Sequence, residues 1–310
     1  MVKIIIVTGF LGSGKTTFLK DLLKNTSKNI AFIINELGKI GLDDKLLKHS
    51  IISNCDTLLL DNGCLCCNKI DNLKVSLENL LNNYEKNKKP LDFVIIETTG
   101  IANVAPIIYT VLSDIFLSNH FCIHKIITVI DAQNYENHIK NDENINQIAS
   151  ANEIIITKKD LNNDFKKDKL NNINASAFVY FKDEYNEEMF FNKTNKMPLI
   201  SNLNNHISKT ISISFEFKKE LDWDRFCIWL SMLLYKYGEN ILRIKGILDV
   251  GANHCVSVNG IYHHIYPAEH VKINPKQSNL IIIFQKLEKS KIIKSFTKFL
   301  NLNDDEVIIY

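Results

Sequence analysis

Gly9-Phe10-Leu11-Gly12-Ser13-Gly14-Lys15-Thr16 fits the pattern G-x-x-x-x-G-K-[ST]. That spacing serves one chemistry, the holding of a nucleotide's phosphates. The glycines let the backbone curl so that successive N–H groups point inward at phosphate oxygens. A helix starting right after the loop presents the positive end of its dipole to the anion. Lys15 reaches the β- and γ-phosphates as a point charge, and the Thr16 hydroxyl is a ligand for Mg²⁺. The expected nucleotide contacts are Gly9, Gly12, Ser13, Gly14, Lys15, Thr16 and Thr17.

A phosphate loop needs a second, acidic magnesium residue at the end of a neighbouring buried strand. Residues 93–100, FVIIETTG, meet that need. Four apolar residues deliver Glu97 to the strand's end, and Gly100 can bring a backbone N–H toward the γ-phosphate. Lys15, Thr16 and Glu97 are thus the expected catalytic group, with Thr16 and Glu97 as the magnesium ligands. Base recognition falls to Thr157-Lys158-Lys159-Asp160, an [NT]-K-x-D element after the apolar run 154–156. Asp160 can accept hydrogen bonds from guanine N1–H and the exocyclic amine. Lys158 can lay its stem over the base. GTP is favoured; ATP, or an ordinary lysine-rich strand exit, is the alternative.

The other chemically pointed segment is Asn62-Gly63-Cys64-Leu65-Cys66-Cys67. A closed structural zinc site takes four ligands, usually from two separated pairs, and no second CxxC exists. Three thiols on one short segment suit an open, exchangeable site for a soft or borderline metal. Cys64 and Cys66 share a face if the segment is extended, and Glu36 is a candidate further ligand. Redox chemistry and plain packing are the alternatives. Cys55, Cys122, Cys227 and Cys255 read as structural. Seven cysteines form no disulfide framework and point to a reducing compartment. His263 and His264 adjoin in a strand-like stretch, so they point to opposite faces. His120 and His124 have helical spacing in a segment that does not read as a secure helix.

These groups need a scaffold. Apolar runs at 3–8, 30–35, 57–60, 93–97, 125–131 and 153–157 alternate with helix-like stretches at 15–25, 68–88 and 104–117. Continuous runs such as IIIV and FVII fit strands buried on both faces, hence a mostly parallel sheet covered by helices. Residues 162–205 are polar and poorly periodic and grade into a linker near 197–208. A strand at 210–217, a helix at 223–237 capped by Asp222 and stopped at Gly238, strands at 241–250, 255–266 and 279–285, and a helix at 288–300 follow. That order predicts a smaller α+β domain with an antiparallel sheet. The expected division is 1–205 and 206–310.

Composition narrows the classes. The 310 residues are 45% hydrophobic with a net charge of +2, which excludes wholesale disorder and gives no case for a nucleic-acid partner. No run of about 18 apolar residues marks a membrane span, and the opening MVKIIIVTGF lacks signal-peptide features. A cytoplasmic location is expected. Lysine and asparagine are so abundant that scattered ones carry little weight, whereas the two arginines, Arg225 and Arg243, stand out. No feature sets an oligomeric state.

The segments GFLGSGKTT, NELGKIGLDD, NGCLCC, ETTG and TKKD together resemble the CobW-like metallochaperone GTPases, in the order that family uses. ILRIKGIL and VNGIYHH resemble its C-terminal domain. The resemblance implies a P-loop GTPase domain using GTP and Mg²⁺. It also implies nucleotide-gated delivery of zinc, or of cobalt, to a client protein. Cys64, Cys66 and Cys67 would be the metal thiolates and Glu36 a switch or metal residue. Many members carry a second acid where this chain has Lys39, although Asp43 is near. The His-rich stretch that some members use is absent, which argues against bulk storage. The runner-up is a metal-sensing GTP-binding regulator without metal transfer; a P-loop kinase is a third reading.

Overall fold

A computed structural model describes residues 1–34, 56–59, 70–87, 90–192, 210–252, 254–271 and 278–310. The chain divides into two compact units. One comprises Met1–Lys167 with Ala177–Lys196, the other Asp168–Ser176 with Met197–Tyr310. No helix among the described residues is long and apolar enough to cross a membrane.

The first unit is built on seven strands: β1 Val2–Thr8, β2 Ile30–Ile34, β3 Asp56–Leu59, β4 Phe93–Glu97, β5 Phe121–Asp131, β6 Glu153–Thr157 and β7 Phe178–Phe181. Every pairing is parallel, in the order β3-β2-β4-β1-β5-β6-β7. All residues of β2, β4 and β6 are buried, as continuous apolar runs require of strands covered on both faces. On one face Ile5, Val7, Ile95 and Val129 pack with Phe18, Leu19 and Leu23 from the helix Lys15–Leu23. This is the P-loop type of α/β sheet. β1 sits centrally between strands that follow it in sequence, so the loops leaving β1, β4, β5 and β6 emerge along one edge.

Local departures from the sequence pattern have identifiable causes. The stretch expected as one helix over 104–117 is two, Ala105–Ser113 and Ile115–His120. Between them Asp114 adopts an extended conformation, and its carboxylate accepts a hydrogen bond from the Leu117 N–H at 2.9 Å, restarting the helix as an N-cap. β5 starts at Phe121, so His120 ends a helix while His124 lies in the strand. β7 lies within the segment that had no legible period. It is an edge strand of four residues, all half-buried, pairing among the described residues with β6 alone.

The second unit carries an antiparallel sheet of β8 Thr210–Phe217, β9 Ile241–Asp249, β10 Cys255–Ile261, β11 His264–Ile265, β12 Glu269–Val271, β13 Asn279–Gln285 and β14 Val307–Ile309. Its order is β11-β10-β9-β13-β8-β14, with β12 paired to β10. The helices Trp223–Tyr237 and Lys289–Leu300 bury Phe226, Trp229 and Phe296 against Phe215 and Phe217 on one face. Asp222 caps the first of them by accepting from the Arg225 N–H at 3.0 Å. Gly238 follows that helix in an ordinary right-handed conformation. Its lack of a side chain answers a close approach instead: a Cβ there would stand 2.0 Å from the His263 ring. The expected strand 255–266 turns back at Tyr262, where φ is 53°, to make the β10–β11 hairpin.

Candidate functional site

The site is assembled at the carboxyl ends of β1, β4, β5 and β6. Register places Val7 beside Glu97, and Asp131 beside Thr157. The loop from Gly9 to Gly14 leaves β1 and enters the helix Lys15–Leu23 directly. Gly12 and Gly14 take φ of 73° and 86°, values that only glycine holds without strain. The helix has no acidic residue in its first turn and no side-chain cap. Its first N–H groups and dipole are therefore left for an anion.

Lys15 Nζ donates to the Gly9 carbonyl at 2.8 Å and the Phe10 carbonyl at 3.3 Å, which folds the ammonium into the curl of the loop. Ser13 is fully buried, and Thr17 is exposed on the first helical turn. The Thr16 hydroxyl donates to Glu97 Oε1 at 2.5 Å. A hydroxyl and a carboxylate oxygen held together beside a phosphate loop are the hard-oxygen donors that Mg²⁺ prefers. Thr98 reaches across from β4, its hydroxyl 2.8 Å from that of Thr8 and its N–H bonded to Val7. Gly100 packs under the loop, where a Cβ would stand 2.6 Å from the Leu11 nitrogen.

The base-side residues turn out to be structural partners of the loop as well. Thr157 Oγ1 lies 2.8 Å from the Ser13 carbonyl and 3.0 Å from that of Ile130, tying β6 to the loop. Lys158 sits in the left-handed region at φ 54°. Its Nζ donates to the Gly12 carbonyl at 2.9 Å and to Asp131 Oδ2 at 2.7 Å. Asp160 is exposed at the start of a single 3₁₀ turn, Lys159–Leu161. The structure thus bonds Glu97, Thr157 and Lys158 to the loop and the start of its helix, packs Gly100 against Leu11, and leaves Asp160 two residues beyond Lys158. Glu36, Cys64, Cys66 and Cys67 lie outside the described residues.

Three residues of this edge were not singled out from sequence. Asp131 ends β5 almost wholly buried. It accepts from Lys158, from the Asn134 side chain at 2.8 Å and from the Gln133 and Asn134 N–H groups. Burial pushes its pKa up, but the bonds from Lys158 and Asn134 outweigh that and hold it below the ordinary aspartate value. The signal was present: Asp131 ends an apolar strand as Glu97 does. His138 packs its ring 4.8 Å from Phe10 of the loop. Its pKa is lowered, first by burial, with Asp131 opposing and Lys158 adding to the shift. Gln147 is buried in the helix Asp142–Ser150 and donates to the carbonyls of Gly100 and Ala102 at 3.1 and 3.2 Å. It fixes the chain just after Glu97-Thr98-Thr99, and nothing in its local sequence announces that.

Comparison with known proteins agrees with this geometry. The CobW/HypB/UreG nucleotide-binding domain matches residues 3–179, and the cobalamin synthesis protein cobW C-terminal domain matches residues 210–300. The chain is 30% identical over 271 residues to the zinc chaperone YjiA of Escherichia coli (strain K12), covering 80% of this chain and 81% of that one. It is 36% identical over 166 residues to zinc-regulated GTPase metalloprotein activator 1 of Schizosaccharomyces pombe, covering 52% of this chain and 39% of that one. The crystal structure of Zn(II)-bound YjiA GTPase from E. coli superposes with a TM-score of 0.77 at 25% identity, over 96% of this chain and 98% of that one.

Proposed function

Because the chain belongs to the CobW/HypB/UreG family and is a P-loop GTPase, we propose that GTP hydrolysis governs its binding and delivery of a transition-metal ion. Zinc is the first candidate, cobalt the second, and the recipient is a client metalloprotein. The relative named a zinc chaperone and the Zn(II)-bound relative support the choice of zinc. Cys64, Cys66 and Cys67 hold the cargo as thiolates, with Glu36 as a further ligand. Their requirement for reduced thiols fits a cytoplasmic setting.

One observation carries the link between nucleotide and cargo. Ile34 of β2 pairs with Leu59 of β3 on one side and with Glu97 of β4 on the other. Leu59, Ile34 and Glu97 thus form one row across the sheet, and Cys64 follows Leu59 by five residues. Five residues span at most about 17 Å, while two strand spacings amount to about 10 Å. Chain length therefore allows Cys64 to reach the acid that serves the nucleotide.

On this reading the residues divide the work. The loop N–H groups and Lys15 neutralise the phosphates. Thr16 and Glu97 hold Mg²⁺, which neutralises charge developing on the phosphate oxygens when bound. Asp160 accepts from the guanine edge. Lys158, oriented by Asp131, packs on the base. Gln147 sets the resting position of the Gly100 segment. Residues 35–44 and 97–103 respond to the γ-phosphate, and hydrolysis changes the thiol geometry.

Full-length protein with Cys64, Cys66 and Cys67 all changed to serine tests this reading. Tight zinc binding disappears while GTP hydrolysis without metal persists; unchanged zinc affinity would remove the thiol site from the account. Nucleotide-dependent partner association with no gain of client activity would make the protein a sensor instead.

A further inference from the structure

Among the described residues no group of three or more metal-ligating side chains gathers, but one pair does. His254 and His270, in the second unit, have ring centres 6.1 Å apart in an edge-to-face arrangement, and both residues are exposed. The pairing explains why. β10 and β12 run antiparallel with Val256 opposite His270. His254 precedes Val256 by two residues, so it shares that face and stands diagonally across from His270. His254 is also held from behind: its N–H donates to the Gly251 carbonyl at 2.9 Å, and its carbonyl accepts from the Val250 N–H at 3.0 Å.

We propose that His254 and His270 form an open two-histidine site for zinc or another imidazole-preferring divalent ion. With Zn–N of about 2.0–2.1 Å and a ring radius of about 1.1 Å, two imidazoles on one tetrahedral ion stand roughly 5.2 Å apart, rising to roughly 6.4 Å if collinear with it. The observed 6.1 Å is about 0.9 Å wider than the tetrahedral spacing, a gap that small side-chain rotations of the two exposed rings close. Among the described residues neither ring makes a side-chain hydrogen bond, so both are available as ligands. His120 and His124 differ: each has a ring nitrogen on a backbone carbonyl, at 2.8 and 3.0 Å. Two protein ligands leave the remaining positions to water, which makes the site weaker and more exchangeable than a thiolate cluster. Imidazole suits zinc, copper(II) and nickel. Its use as a staging point for cargo rests on the proposed metal delivery; the binding itself does not.

The test uses the full chain with Cys64, Cys66 and Cys67 changed to serine, so that the thiol site cannot contribute. Zinc is titrated at pH 7.5 and followed by calorimetry and by imidazole nitrogen shifts in NMR. One zinc site is expected, with the His254 and His270 rings shifting together. His254→Ala and His270→Ala each weaken it at least tenfold, while His120→Ala leaves it unchanged and all three retain GTP hydrolysis. Absence of zinc binding in the serine background, or binding that survives both His254→Ala and His270→Ala, would overturn the proposal.

Discussion

β5 and β6 carry a lysine–carboxylate pair at each end, and the two pairs are built differently. At the amino ends, Lys125 Nζ lies 2.8 Å from Glu153 Oε1, with side-chain exposures of 3% and 2%. The lysine also donates to the Met189 carbonyl, and the Tyr185 hydroxyl donates to the other Glu153 oxygen. At the carboxyl ends, Lys158 lies 2.7 Å from Asp131, but the lysine side chain is 36% exposed and its backbone is left-handed. The first pair is closed on every side. In the second, a buried carboxylate holds an accessible cation over the phosphate loop. Backbone in the left-handed region costs a non-glycine residue about 1–3 kcal/mol, and here it falls at the nucleotide edge. Stability is concentrated at one edge of the sheet and positioning at the other.

Breaking the closed pair should have the largest effect on stability. Lys125→Met strands a buried carboxylate and is expected to lower unfolding stability by about 3–5 kcal/mol, read by urea denaturation. Guanine nucleotide affinity should stay within threefold. Adding Glu153→Leu should recover most of the loss, because removing both charges ends the desolvation penalty. If Lys125→Met instead abolished nucleotide binding in folded protein, the division between edges would be wrong.

Asp131→Asn should invert that pattern. Its stability cost is smaller, about 1–2 kcal/mol for weakened bonds to Lys158 and the Asn134 region. GTP affinity should fall at least tenfold as Lys158 loses its anchor. A pH dependence accompanies it. A carboxylate whose pKa drops on folding contributes its full stability above the unfolded-state value and loses it as pH falls through the lowered one. The stability difference between native protein and Asp131→Asn should therefore be level above pH about 4 and shrink below it.

Lys158→Gly separates the lysine's two roles. Relief of the left-handed backbone offsets the lost ion pair, so stability should change by less than about 1 kcal/mol. Nucleotide affinity should still fall severalfold. Thr157→Asn should be the mildest change, since an amide can also reach the Ser13 carbonyl; GTP affinity within threefold of the native value is the expected titration result. Thr157→Val, which removes the donor, should weaken it further.

Much of the nucleotide edge was legible because its chemistry is written in short segments. Glycine, lysine and threonine at fixed spacing made the loop, and an apolar strand ending in Glu97 marked the second acid. Asp131 carried the same local mark but gained meaning only from Lys158, 27 residues away. Gln147 is further removed still: its partners Gly100 and Ala102 lie more than forty residues earlier. The long strands of both sheets were legible from apolar runs. β7 and β14 were not: β7 lies in a polar stretch rich in asparagine and lysine, and β14 is only three residues long. The break at Asp114 was missed because a side-chain cap overrode an otherwise continuous helical stretch. Burial, aided by a nearby aspartate, raises the thiol pKa of Cys227 and of Cys255, which makes both poor thiolate donors and fits their reading as structural.

The central claim is that the nucleotide state sets the hold on the metal. Zinc affinity of the full chain, measured by competition with a chromophoric chelator in the presence of Mg²⁺ and either a non-hydrolysable GTP analogue or GDP, tests it directly. The account predicts at least a tenfold difference between the two states, abolished when Cys64, Cys66 and Cys67 are serine. Equal affinities in the two states would contradict it.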